Sequence, residues 1–223
     1  RLQRTYMASQ SLTKFYRNIS DVHKLAEAHS KLNPGGLGRR SLGHITRSGV
    51  VMLCAAWEVY FEDIVTEAVR HITGALDTPS QLPPSVQKKL SSQVKADSHE
   101  LKPLELAGEG WKELLLHYAR KEASSINTPK SHVLELYAKH FIGTDGISSA
   151  WHVGPDRVNH IVSIRGEIAH RGRDAEYIPI LDLKLYTKEI VRTAVETDNH
   201  ICLHIKSATG AKSQPWRRKT VPE

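Results

Sequence analysis

Between its helix-breaking clusters the chain repeats apolar residues every third or fourth position, and nowhere do they alternate at period two for long enough to build a sheet. That periodicity predicts an all-α fold, an antiparallel helical bundle. The spacing of Leu12, Phe15, Ile19, Val22 and Leu25 predicts a helix over 9–32, stopped by Asn33-Pro34-Gly35-Gly36. A longer helical pattern starts at Ser41, runs over 41–76 and ends at Thr78-Pro79-Ser80 and Pro83-Pro84. Shorter helices are expected over 85–96, over 111–122 after Gly108-Glu109-Gly110, and over 133–141 after Asn127-Thr128-Pro129. A loop fills 143–154. Pro155 then stands where a helix favours its first proline, and this helix runs to about His170, ahead of Gly172. A last helix covers 179–206.

A chain of 223 residues suits one sizeable domain. No linker divides it, so residues 1–207 are expected to form a single helical domain and 208–223 a frayed basic tail with Lys212, Arg217, Arg218 and Lys219. No apolar run approaches the roughly 18 residues of a membrane span, and no basic region followed by an apolar core opens the chain. The expectation is a cytoplasmic protein with no membrane contact. The first residue is Arg1 rather than a start methionine, so a few residues are expected to be missing. Cys54 and Cys202 read as buried thiols of a reducing compartment. The 31 Lys and Arg against 24 Asp and Glu leave +7, which favours a polyanionic partner without identifying one. The 13 histidines must be sorted by position, since histidine serves acid/base chemistry and metals but is most often simply solvated.

Two charges stand out on helical wheels. Around Arg165, the residues Val158, Ile161, Val162, Ile168 and Ala169 all fall within about 60°. Around Glu58, the residues Val51, Cys54, Ala55, Phe61, Val65 and Val69 do the same, again within about 60°. A charge at the centre of an apolar stripe needs a partner or a polar cavity. Glu62 lies one turn beyond Glu58. The economical expectation is therefore a buried pair in which Glu58, with Glu62, accepts hydrogen bonds from Arg165 and orients its guanidinium. A pair that merely fixes helix register satisfies the same pattern. His170, however, lies at the edge of the stripe, and Gly166 leaves a gap without a side chain between it and Arg165. A phosphate fits such a notch.

Arg165-Gly-Glu-Ile-Ala-His170 resembles the Arg-x4-His motif of the HEPN domains, all-α proteins of which many are ribonucleases. Ala56-Trp57-Glu58-Val59-Tyr60-Phe61-Glu62 is similar to the early-helix signature of the HEPN branch found beside ribosomal L-PSP-type domains. The resemblance implies a HEPN-type bundle with additional helices that homodimerises, so that both Arg165-His170 pairs line one cleft. It implies metal-independent endoribonuclease activity without a cofactor. Arg165 would neutralise the scissile phosphate, His170 would act as general acid/base, and Glu58 and Glu62 would support Arg165. Gly166 departs from the polar residue, often Asn, that family members carry after the arginine. Expected partners are RNA, tRNA among it, a second copy of the chain, and an antitoxin or defence-system protein. The alternative is a HEPN module without catalysis that serves as an RNA-binding or dimerising scaffold.

Other features of the sequence have plainer readings. His152, ahead of the motif helix, is a candidate for lining the cleft, although a loop histidine with no role is the commoner case. His200 and His204 are four apart and could hold a metal, but no matching Cys/His pair occurs elsewhere, so no metal is expected. Trp111, Leu114, Leu115 and Tyr118 read as core rather than a stacking platform. No tight turn precedes a convincing DNA-recognition helix.

Overall fold

The computed structural model describes residues 7–34 and 42–222. Gly35, Gly36 and the expected helix start at Ser41 lie outside the described residues. Among the described residues seven α-helices follow one another, joined by loops and single 3-10 turns: α1 Gln10–Leu32, α2 Gly43–Ala75, α3 Pro84–Ala96, α4 Gly110–Ala123, α5 Ser131–Ile142, α6 Pro155–Arg171 and α7 Ile180–Thr209. There is no strand among the described residues, and the fold is the expected all-α bundle with additional helices.

Local chemistry explains the helix ends. Ser9 caps α1, its Oγ accepting the Leu12 N–H at 2.9 Å. Pro155 occupies the first position of α6, where its missing N–H costs nothing, and Gly172 ends the helix at φ 55°.

The long helix α2 organises the rest. Its 33 residues reach about 50 Å, and α1, α4, α5, α6 and α7 all pack against it. Trp57 is fully buried near its middle. Its ring meets Tyr60, Phe61 and Trp151 at centroid distances of 5.9, 5.7 and 5.7 Å, and its Nε1–H donates to the Pro129 carbonyl at 3.4 Å. One side chain thus joins α2 to the approaches of both α5 and α6.

Directions follow from paired contacts. The start of α1 meets the later part of α2, where Glu67 accepts the Gln10 and Ser11 N–H groups at 3.0 and 2.9 Å and Lys14 pairs with Asp63 at 2.7 Å, so α1 and α2 are antiparallel. Helices α6 and α7 are also antiparallel. Trp151 Nε1–H donates to Thr197 Oγ1 at 2.9 Å before α6, and Arg157 inside it pairs with Glu189 at 2.9 Å.

Residues beyond α7 are held rather than frayed. Trp216 is 4 % exposed, its carbonyl accepts from the Cys202 thiol at 3.3 Å, and the Arg217 N–H donates to the Met7 carbonyl at 3.0 Å. The expected frayed tail overlooked this one large apolar residue, whose burial offsets part of the cost of ordering the segment.

Replacing Trp57 by Ala removes the shared anchor and leaves a cavity between α2 and α6. Trp57→Ala should lower stability by about 3 to 5 kcal/mol in urea denaturation.

Candidate functional site

Helices α2 and α6 cross where the Cys54 thiol donates to the Ile161 carbonyl at 3.8 Å. Glu58 follows Cys54 by one turn on α2, and Arg165 follows Ile161 by one turn on α6. Their charges interact: burial raises the Glu58 carboxyl above its usual range, and the Arg165 guanidinium draws it part of the way back. The same cation acts on Cys54, whose thiol is pushed up to about 12 by burial, with Glu58 adding to the rise. Cys54 and Cys202 are both free and buried.

The pair is nevertheless not the buried, directly bonded one that the wheels suggest. Glu58 and Arg165 are half-buried, no ion pair within 4.0 Å joins them, and Arg165 Nη1–H donates to the Asn127 carbonyl at 3.3 Å. The reason lies in the stripes. The buried face of α2 centres on Val50, Trp57, Ile64 and Ala68, about a quarter turn from Glu58, while Val51 and Ala55 are exposed. On α6, Val158, Ile161 and Val162 are covered, but Ile168 is only half-buried and Ala169 is exposed. Arg165 thus sits where the stripe emerges from the core, and solvent supplies what a buried guanidinium would need from a carboxylate. Asn127, which appears in sequence only as part of a helix breaker, contributes through its backbone and carries no side-chain signal.

Glu62 extends the acidic patch by one turn. Its carboxyl is pushed up to about 7 by burial and by the negative charges of Glu58 and Asp63, with Lys14 opposing. Gly166 faces open space, since a Cβ there would meet nothing within 4 Å. His170 is exposed on the last turn of α6, about 7.5 Å further along the axis than Arg165. The notch between guanidinium and imidazole is therefore open on the surface.

His152 does not join this group within the protomer. It lies ahead of the N-terminus of α6, about 25 Å along the axis from His170, with its backbone N–H donating to Glu196 at 2.9 Å. His200 and His204 are engaged by the protein itself: His200 Nε2 pairs with Thr144 Oγ1 at 3.1 Å, and His204 Nε2 meets the Ile142 carbonyl at 2.6 Å. Trp111, Leu114, Leu115 and Tyr118 are core residues.

A groove of about 1000 Å³ opens between the early part of α2 and the end of α6, with walls that include Arg47, Val51, Met52, Ile168, Arg173 and Tyr177. Val51 and Met52 are 36 % and 41 % exposed. Continued by Ala55 and Ala169, they leave an apolar band on α2 and α6 around the charged residues. Among the described residues, no helix is long and apolar enough to cross a membrane.

An all-α bundle with an arginine and a histidine five residues apart on a late helix, opposed by a carboxylate on an early one, is the architecture of a HEPN domain. The RiboL-PSP-HEPN family model matches residues 16–203, and the chain belongs to that family. Comparison with curated proteins and with solved structures returns no match.

Two outcomes follow from this geometry. Because Glu58 is half-solvated and not directly paired, Glu58→Ala should change stability by no more than about 1 kcal/mol. Glu62 carries a raised folded-state pKa, so its contribution to stability is fully present below the usual carboxylate range and is lost as pH rises through about 7. Glu62→Gln should match wild type in urea midpoint near about pH 4, below the ordinary carboxylate pKa, and exceed it near about pH 8, where the wild-type carboxylate is charged.

Proposed function

We propose that the protein is a metal-independent endoribonuclease that cuts RNA at a composite site formed by two copies of the chain. The observation that carries this reading is the open notch at Gly166, with the Arg165 guanidinium on one side and the His170 imidazole on the other, beside the half-buried Glu58.

RNA brings its own nucleophile, so the protein must do only three things. It must take the proton from a 2′-hydroxyl, hold the charge that builds on the phosphate, and protonate the departing 5′ oxygen. A guanidinium is a fixed cation and suits the second task at Arg165, while an imidazole, which can both take and give a proton, suits the others at His170. The 2′ oxygen bonds to phosphorus as the 5′ oxygen leaves, giving a 2′,3′-cyclic phosphate and a 5′-hydroxyl end. DNA lacks the hydroxyl and stays intact. Glu58 orients Arg165 through charge at a distance, and Glu62 supports it indirectly, from one turn beyond Glu58.

The apolar band of Val51, Met52, Ala55, Ile168 and Ala169 supports pairing of two copies across the notch, because lone charges ringed by exposed apolar side chains mark a surface built to be covered. One protomer offers a single histidine, and a second copy supplies another for the opposite proton transfer. Cellular RNA, tRNA among it, is the proposed substrate. A toxin or anti-phage effector in the cytoplasm, held in check by an antitoxin or defence partner, is the proposed setting on family likeness. The catalytically silent RNA-binding scaffold remains the second reading, favoured by Gly166, which cannot supply the hydrogen bond of a polar residue at that position.

The test is incubation of total RNA with the protein in excess EDTA, beside Arg165→Ala and His170→Ala. Cleavage by wild type that falls by about 100-fold or more in each variant is expected. Equal cleavage by all three would remove the assigned site, and no cleavage by wild type would favour the scaffold.

A further inference from the structure

A second basic surface lies far from the notch, where the chain beyond α7 returns to the start of α1. A cavity of about 560 Å³ opens there between Thr13 and Tyr16 of α1 and the run Arg217, Arg218 and Lys219. The three cations are exposed, and no carboxylate among the described residues forms an ion pair with them. Two acids near the start of α1 are otherwise engaged. Glu67 receives the Gln10 and Ser11 N–H groups, and the buried Asp198 carboxyl accepts from Ser9 Oγ.

The cations are also fixed in place. Buried Trp216 anchors the segment, its ring meeting His71 of α2 at 5.4 Å. The Arg217 N–H donates to the Met7 carbonyl at 3.0 Å. The Lys219 N–H donates to Asn199 Oδ1 at 3.0 Å, while Asn199 Nδ2–H donates to the Lys219 carbonyl at 2.8 Å. A merely solubilising tail gains nothing from such anchoring. Three unpaired cations on a held backbone, facing an aromatic ring that is 42 % exposed, form a surface for a phosphate chain with a base beside it.

We propose that Arg217, Arg218 and Lys219 bind the phosphodiester backbone of single-stranded RNA, with Tyr16 stacking a base, at a site separate from the Arg165–His170 notch. The inference rests on the reading of the protein as RNA-directed, though not on cleavage. His71, which touches Trp216, lies thirteen residues beyond Glu58 on α2, so the two sites are about 20 Å apart along that helix. An RNA that reaches both must be several nucleotides long, which makes this surface a selector for extended or looped substrates over short fragments.

The experiment measures fluorescence anisotropy of a labelled 20-nucleotide single-stranded RNA, about long enough to span both sites, against salt. An Arg165→Ala background keeps the RNA uncut. The triple variant Arg217→Gln, Arg218→Gln, Lys219→Gln should bind about tenfold or more weakly, and its plot of log affinity against log salt should be shallower by about 2. Arg218→Gln alone changes one exposed side chain, and should flatten the slope by about 0.7 even if the triple variant fails to fold. Tyr16→Leu should weaken binding several-fold without altering the slope. Wild-type affinity and slope in the charge variants would overturn the proposal, as would charge-dependent binding to phosphatidylserine vesicles with no effect on RNA. Normal RNA binding by the charge variants, with cleavage lost in Arg165→Ala, would remove only this second site. Loss of binding in a protein that never cuts would remove only the nuclease.

Discussion

Helix α2 is buried around most of its circumference, and this constraint shapes everything else. A helix against which five others pack can leave little of itself exposed, and its apolar residues fill the core around Trp57. Of the half-buried carboxylates on it, Glu58 stands where α6 crosses and Glu62 one turn beyond, with burial holding both above the normal carboxylate range. Packing therefore places negative charge beside Arg165 without a direct bond, and leaves the guanidinium able to face a ligand. A fully paired arginine would be structurally quieter and chemically less useful.

The same geometry divides α6 into two working halves. Its first two turns are anchored by Val158, Ile161 and Val162 and by the Arg157–Glu189 pair. Its last turns, carrying Gly166, Ala169 and His170, project beyond that cover. Rigidity at one end and exposure at the other suit the proposed RNA site, which would have to be precise yet admit a polymer. Gly166 has room for a side chain and does not use it, which keeps the space between arginine and histidine open.

Much of the fold was legible because several helix ends are marked by local chemistry: Ser9, Pro155 and Gly172 act within one turn of themselves, and the observed helices begin and end within about three residues of the sequence pattern. The family was legible from Arg165, His170 and the residues around Glu58. What the wheels misplaced was the centre of the buried face. A wheel does not give the position of neighbouring helices, so the stripe on α2 was centred on Glu58 when packing centres it about a quarter turn away, on Trp57 and Ile64. The joining of the chain ends was equally hidden, because the contacts of Trp216 with His71 and Cys202 and the Ser9–Asp198 bond connect residues remote in sequence. Asn127 acts through a carbonyl, which every residue possesses.

The central claim is that the notch between Arg165 and His170 uses the substrate's own 2′-hydroxyl. An RNA oligonucleotide with one strong cleavage position, compared with the same molecule carrying a single 2′-deoxy nucleotide immediately 5′ to the cut, tests it most directly. The account predicts that cleavage at that bond disappears while neighbouring bonds are still cut, and that the normal product ends in a 2′,3′-cyclic phosphate. Undiminished cleavage at the deoxy position would contradict it.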